Sequence, residues 1–189
     1  NSQYTHQGWL TEDHKYFLSN DELDEVYTGV NTTTFIWDVQ DLSSPSLIGT
    51  FVAETAAIDH NLYIKGDLCY QSNYRAGLRI TSLNDVANGI LTEVGFFDMY
   101  PSSDGAQFNG TWSNYPYFES GVVAVSHIEE GLFLLGVAGN LSDLGCTDPE
   151  ACNYDPSALE DNGSCTENDA CGVCGGDGSS CSGCTNPIA

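Results

Sequence analysis

Positive charge is the scarcest commodity in this sequence. Against 27 acidic residues there are only 4 Lys and Arg, giving a formal net charge of −23. All four (Lys15, Lys65, Arg75 and Arg79) lie before residue 80, so nothing from Ile80 to Ala189 can neutralise a phosphate. Nucleic-acid binding is excluded on that ground, because its affinity is built from Lys and Arg. Attraction to an anionic membrane surface fails for the same reason. No apolar run reaches the length that crosses a bilayer, so direct membrane insertion is not expected. Also missing are a Gly-rich phosphate loop, a GxSxG elbow and an HExxH pair, so no catalytic motif singles itself out and the chain reads as non-enzymatic. The partners such a surface selects are cations, calcium above all; acidity also keeps an exported protein soluble. The chain opens on Asn1 without an initiator Met or signal peptide, and it holds eight cysteines. Together these predict a processed or truncated form of a longer exported precursor, extracellular or at the cell surface.

The chain is otherwise dense in short strand signals. HNLYIKG (60–66) and DLCYQSN (67–73) meet at a Gly-Asp step, which is a hairpin signal. AGLRITSL (76–83) alternates apolar and polar positions as a half-buried strand does, and LTEVGFFDMY (91–100) is rich in Val, Phe and Tyr. The same order appears upstream in HQGWLTEDHKYFLSNDE (6–22), TTTFIWDV (32–39) and PSLIGTFVA (45–53), and downstream in FNGTWSNYPYF (108–118), GVVAVSHI (121–128) and GLFLLGV (131–137). His6 aligns with His60, a step of 54; Phe35–Val39 aligns with Arg79–Leu83 and then Phe133–Val137, steps of 44 and 54. A period of roughly 40–50 residues with about four strands per unit predicts propeller blades; the competing arrangement is a β-sandwich.

These words, from HQGWLTEDHKYFLSNDELDE through FIWDVQDLSSPSLIG and AIDHNLYIKGDLCYQSNYRAGLRI to VVAVSHIEEGLFLL, resemble the choice-of-anchor B family, secreted or surface proteins with LVIVD-type propeller repeats. The resemblance covers about His6 to Leu135. It implies a β-propeller on an exported chain with a variable C-terminal anchor, and no established catalytic activity. Only about three blades are present, where a ring typically needs four to eight. The expected fold is all-β: a partial β-propeller of antiparallel strands over residues 1–137, a linker over 138–145, and a small disulfide-rich, loop-rich module over 146–189.

That last module carries its own repeat. GCTDPEA (145–151) recurs as GCTNPIA (183–189), 38 residues on, and one unit contains Cys146, Cys152, Cys165, Cys171, Cys174 and Cys181. The stretch is similar to GCTDPxACNYxPxAxxxDGSC repeats of exported proteins, and CGVCGGDGSSC resembles a cysteine loop of secreted thrombospondin-related proteins. The resemblance implies a surface spacer, anchor or structural repeat. A 38-residue unit is too small to bury an adequate core, so bridges substitute for it; six cysteines allow 15 pairings and the sequence does not choose among them. The CxxC spacings Cys171–Cys174 and Cys181–Cys184 are also a zinc pattern. Calcium is the better match. Asp148, Asp155, Asp161, Asn162, Asp169 and Asp177 are closely spaced oxygen donors, with Asp155 and Asp161 foremost, although Asp and Asn in such turns also serve as turn formers. Cys69, alone in the front part, reads as a buried free thiol.

His6, Asp59 and His60 form a candidate polar site, because matching positions in successive blades converge; the plainer expectation is that each histidine caps a strand in its own blade. Trp9, Trp37 and Trp112 are either core or a platform for glycans. Asn31, Asn109, Asn140 and Asn162 head N-glycosylation sequons. The function these features predict is a structural or adhesive surface protein, a component of an appendage or filament that packs against copies of itself or other surface proteins. The alternative is a carbohydrate- or metal-dependent binding module on a propeller face, and, further off, a calcium-dependent hydrolase.

Overall fold

A computed structural model describes residues 4–136, 144–156, 158, 160–161, 165–176 and 178. The chain divides into two compact units, Asn1–Gly136 and Val137–Ala189.

The first unit is three antiparallel sheets laid down in sequence order. Sheet one is the meander β1 (Thr5–Leu10), β2 (Tyr16–Asp21), β3 (Thr33–Asp38) and β4 (Ser46–Val52). Sheet two repeats it with β5 (Asn61–Lys65), β6 (Leu68–Ser72), β7 (Leu78–Ser82) and β8 (Thr92–Phe97). Sheet three contains β9 (Thr111–Tyr115), β10 (Val122–His127) and β11 (Gly131–Gly136). The two segments read from the sequence as equivalents of Phe35–Val39 supply the third strand of the second and third sheets. The third sheet has three strands rather than four among the described residues. The sheets do not close on one another.

Local sequence accounts for the turns. Lys65 faces Leu68 across the Gly66-Asp67 step, and Gly66 sits at φ 58°, the left-handed backbone a two-residue hairpin turn needs. A five-residue helix α1 (Asp24–Thr28) follows β2 and ends on Gly29 in the left-handed region.

Sheets one and two share an interior. Leu18 and Ile36 from sheet one meet Leu62, Ile64 and Cys69 from sheet two, with Leu83 and Leu91 beside them. Leu18, Ile36 and Cys69 are 0% exposed. Backbones touch at Gly49 of β4, where an added Cβ would lie 2.1 Å from the Gly89 carbonyl oxygen. Only glycine lets the two chain segments approach so closely.

Between sheets, β1 packs on β5, and β9 packs on both β5 and β6. The polar bonds along this seam join residues about one sheet apart in sequence. Gly66 N donates to Glu12 (2.7 Å), Tyr63 and Ser113 share a hydroxyl bond (3.1 Å), Tyr117 donates to the Ile64 carbonyl (2.9 Å), and Lys65 Nζ donates to the carbonyls of Pro116 and Phe118 (both 2.9 Å).

In the second unit the order comes from cross-links. Cys146 is bonded to Cys165 and Cys152 to Cys174, and Cys171 is disulfide-bonded as well; Cys181 and Cys184 lie outside the described residues. The two described loops close 19 and 22 residues, each contributing roughly 3 kcal/mol. Because Cys174 is already committed to Cys152, the Cys171–Cys174 spacing cannot serve as a zinc-binding thiolate pair. β12 (Leu144–Gly145) and β13 (Glu160–Asp161) form a two-residue parallel pair. Two disulfides point to an oxidising environment. No described helix is long and apolar enough to cross a membrane.

The burial pattern predicts a large contrast between two apolar truncations. Ile36→Ala is expected to cost roughly 2–5 kcal/mol, and Leu132→Ala, at a side chain 67% exposed, under about 0.5 kcal/mol. Urea midpoints by circular dichroism measure both.

Candidate functional site

The polar residues of the first unit concentrate where sheet one hands the chain to sheet two. Two segments build the place. One is the end of β2 and the start of α1, Asp21-Glu22-Leu23-Asp24-Glu25; the other is the buried connection Ala57-Ile58-Asp59-His60 that leads into β5. All four residues of that connection are buried, and Thr32 Oγ1 ties it down by donating to the Ala57 carbonyl.

On one side of the junction the histidines are spoken for. His6 and His60 stack with ring centroids 4.8 Å apart. His6 Nδ1 donates to the carbonyl of His60 (2.9 Å), and His60 Nδ1 donates to the carbonyl of Trp112. Each histidine therefore makes the same bond, but reaches across to the following sheet rather than capping a strand of its own. The Glu22 carboxylate takes the Tyr74 hydroxyl (2.9 Å) and lies 3.8 Å from His60 Nε2. Burial holds the His60 imidazole below its ordinary pKa, and burial together with the Glu22 bond raises the Tyr74 phenol. His6, Glu22 and His60 offer ligand atoms within 4.8 Å of one another; Glu22 and the Nδ1 atoms of both histidines already have protein partners.

The other side is different. Asp24, Glu25 and Asp59 bring one carboxylate oxygen each within 4.8 Å of the others. Asp59 is 0% exposed and Glu25 3%. Asp59 Oδ2 is buried without a hydrogen-bond partner, and the Asp24 and Glu25 side chains hydrogen-bond to each other. Two amides face Asp59: Gln7 Nε2 donates to its Oδ1 at 3.4 Å, and the Asn20 side chain approaches it. None of the four basic side chains is near. Lys15 pairs with Asp13, Arg79 with Glu93, Arg75 binds Asn109 and Ser103, and Lys65 binds the two carbonyls above. Burial, reinforced by the mutual repulsion of the acids, pushes Asp59 up to about 8 and Glu25 up to about 10, and raises Asp24. The junction opens on a groove of about 950 Å³ across the face of sheet one, lined by Asp21, Asp24, Phe35, Trp37 and Leu47 among others.

No family model matches the sequence, and no curated protein matches it.

The remaining predicted residues are placed as follows. Asp169 accepts bonds from the amides of Cys171, Val173 and Gly178, which hold its carboxyl below the ordinary range, and Asp148 accepts from the amide of Glu150. Both serve as turn formers. Asp155 lies next to the first bridge, its amide donating to the Cys146 carbonyl; Asp161 belongs to β13, and Asn162 and Asp177 lie outside the described residues. Among the described residues, groupings of three potential ligands occur in the first unit and not in the second. Asn31 donates to the carbonyls of Ala53 and Glu54, and Asn109 bridges Arg75 and Glu129, so both sequon amides are engaged; Asn140 lies outside the described residues. Trp9 packs on Tyr63, Trp112 on His60, and Trp37 donates to Ser19. Cys69 is free and buried, its thiol raised to about 12 by burial.

Of the acid group, only Asp59 was visible in the sequence as a candidate. The signal that could have found the rest is the run Asp21-Glu22-Leu23-Asp24-Glu25, four acids in five residues closing a strand.

Protons retained by Asp59 and Glu25 have a pH signature. Their folded-state pKa values lie above the ordinary carboxylate range, so the folded protein binds more protons than the unfolded one from about pH 4 up to their own values, and stability falls as pH rises through that window. His60, depressed in the fold, acts oppositely, but only below about pH 6.5. In chelator-treated protein Tm is therefore expected to fall as pH rises from 6.5 to 8, and Asp59→Asn to flatten the slope. Calorimetry across that range checks it.

Proposed function

We propose that this chain is an exported, non-enzymatic structural or adhesive module: consecutive blades of an incomplete β-propeller, of the choice-of-anchor B kind, carried on a disulfide-stapled stalk. The observation that carries the reading is the repetition between sheets. Three antiparallel meanders follow one another in sequence, first strand against first strand, joined by hydrogen bonds spaced about one repeat apart. That is how blades stand around an axis. Such an arrangement, left open, keeps apolar surface at both ends. On sheet one it is the groove floored by Phe35, Trp37 and Leu47. On sheet three it is Leu132 and Leu134, both 67% exposed. Exposed apolar surface on this scale marks an interaction face, here one for further sheets of the same kind, from this chain's own continuation or from a second copy.

The non-enzymatic part of the reading rests on commitment of the reactive groups. His6 and His60 spend ring nitrogens on backbone carbonyls, and the Cys69 thiol is buried and far from ionising at neutral pH. The second unit, with interlaced bridges at Cys146–Cys165 and Cys152–Cys174, suits an extracellular spacer that resists proteolysis.

Sedimentation equilibrium tests the open-ended head. Self-association is expected in the tens of micromolar, and Leu132→Glu with Leu134→Glu is expected to weaken it at least tenfold. A monomer at all concentrations up to about 200 μM would overturn the reading. For the stalk, reduction with dithiothreitol is expected to make the second unit the first site of protease cleavage; a cleavage pattern unchanged by reduction would count against it.

A further inference from the structure

We propose that the cleft lined by Trp9, Ile64 and Tyr117 binds a neutral sugar ring of a glycan chain, with Trp9 as its stacking platform and Glu12 and His14 as its hydrogen-bonding partners. This gives the adhesive reading above a ligand. It rests on that reading for its surface setting, and it is tested apart from self-association.

The cleft has a volume of about 600 Å³ and brings together residues of all three sheets. Trp9 comes from β1, Ile64 from β5, and Tyr117 from the segment that follows β9. Its size falls within the range of small-ligand sites. The aromatic walls are held in place. Trp9 is 42% exposed and is braced edge-on by Tyr63, ring centroids 5.2 Å apart. Tyr117 is pinned through its hydroxyl, which donates to the Ile64 carbonyl (2.9 Å). Phe17 lies against Gly8, where an added Cβ would stand 2.1 Å from the ring. A braced, half-open indole at a concave place suits a flat ligand, because little side-chain freedom is lost on binding.

The rim is polar and open. One Glu12 oxygen accepts from the Gly66 amide (2.7 Å), which fixes the carboxylate on the hairpin turn of sheet two. Its other oxygen and the His14 ring have no hydrogen-bond partner among the described residues. No Lys or Arg lines the cleft, and the chain carries a formal charge of −23, so an anionic ligand is repelled. A neutral pyranose meets each condition. Its C–H face is flat and apolar, its hydroxyls make charge-assisted bonds to a carboxylate, and it brings no charge. A methylammonium group also suits aromatic rings in an acidic protein, but it leaves the His14 ring unanswered and fills little of the cleft. Of the three tryptophans, Trp9 alone lines this cleft. Trp37 donates its ring N–H to Ser19 (3.0 Å), and Trp112 lies against His60 with centroids 4.2 Å apart.

The full chain is applied to an array of immobilised neutral oligosaccharides of glucose, galactose, mannose, xylose and N-acetylglucosamine. Oligogalacturonate serves as the acidic probe and tetramethylammonium chloride, in solution, as the cationic one. Tryptophan fluorescence and calorimetry then follow the best neutral binder. At least one neutral oligosaccharide is expected to bind with a Kd of roughly 0.1–1 mM and to shift the emission. Trp9→Ala and Glu12→Gln are each expected to weaken binding at least tenfold. Trp37→Phe, in the groove on sheet one, leaves it unchanged. The proposal is overturned if no neutral oligosaccharide binds at concentrations up to about 10 mM, or if only oligogalacturonate or tetramethylammonium binds. It is equally overturned if the folded Trp9→Ala and Glu12→Gln variants bind as tightly as the wild type. Should Trp9→Ala not fold, Glu12→Gln decides, because that side chain is exposed. Sedimentation reports on self-association and the array on the cleft, so the two readings fail separately.

Discussion

What the first unit depends on is the bonding between successive sheets. A single four-stranded meander of this size buries one face poorly, and here sheets one and two cover each other. The cover is partly apolar, through Leu18, Ile36, Leu62, Ile64 and Cys69. The register between sheets is set by polar bonds: His6 to the His60 carbonyl, His60 to the Trp112 carbonyl, Thr34 to Gln71 and Asn114 to Ser72. Apolar packing tolerates sliding, whereas a buried donor must find its acceptor. The repeated histidine bond thus specifies where each sheet stands relative to its neighbour.

The same requirement explains how acids came to be buried. The connection from β4 to β5 must pass through the seam, and it brings Asp59 and His60 with it. The reversal after β2 places Asp24 and Glu25 against that connection. With 4 basic residues in 189, the protein has little means of answering buried negative charge with its own cations. It must answer with protons or with ions from solution.

Strands and their order were legible in the sequence because period-two alternation and Gly-Asp or Gly-containing turns are local properties, as at Asn61–Ser72 and Leu78–Ser82. The all-β class followed from them. The alignment of Phe35, Arg79 and Phe133 reflects equivalent third strands. The two described disulfide pairings were not legible, since connectivity depends on which turns approach one another and not on spacing. Nor was the acid group. Asp24 and Glu25 look like surface residues of a short polar helix, and their burial arises only when a segment 35 residues downstream folds over them. The cysteine-unit aspartates have the composition both of a calcium loop and of turn formers, and at Asp148 and Asp169 the turn-forming bonds to nearby backbone amides are present.

Cys69 shows what a sealed interior does in a chain whose second unit carries disulfides. Lying on β6 with no exposed surface, its sulfur is withheld from thiolate chemistry. During synthesis the front sheets emerge before the cysteine-rich segment. If they close first, the odd sulfur is out of reach when oxidation begins, and the later cysteines have only one another to choose from. Packing of the first unit would thereby guard covalent pairing in the second, through order of events rather than through contact.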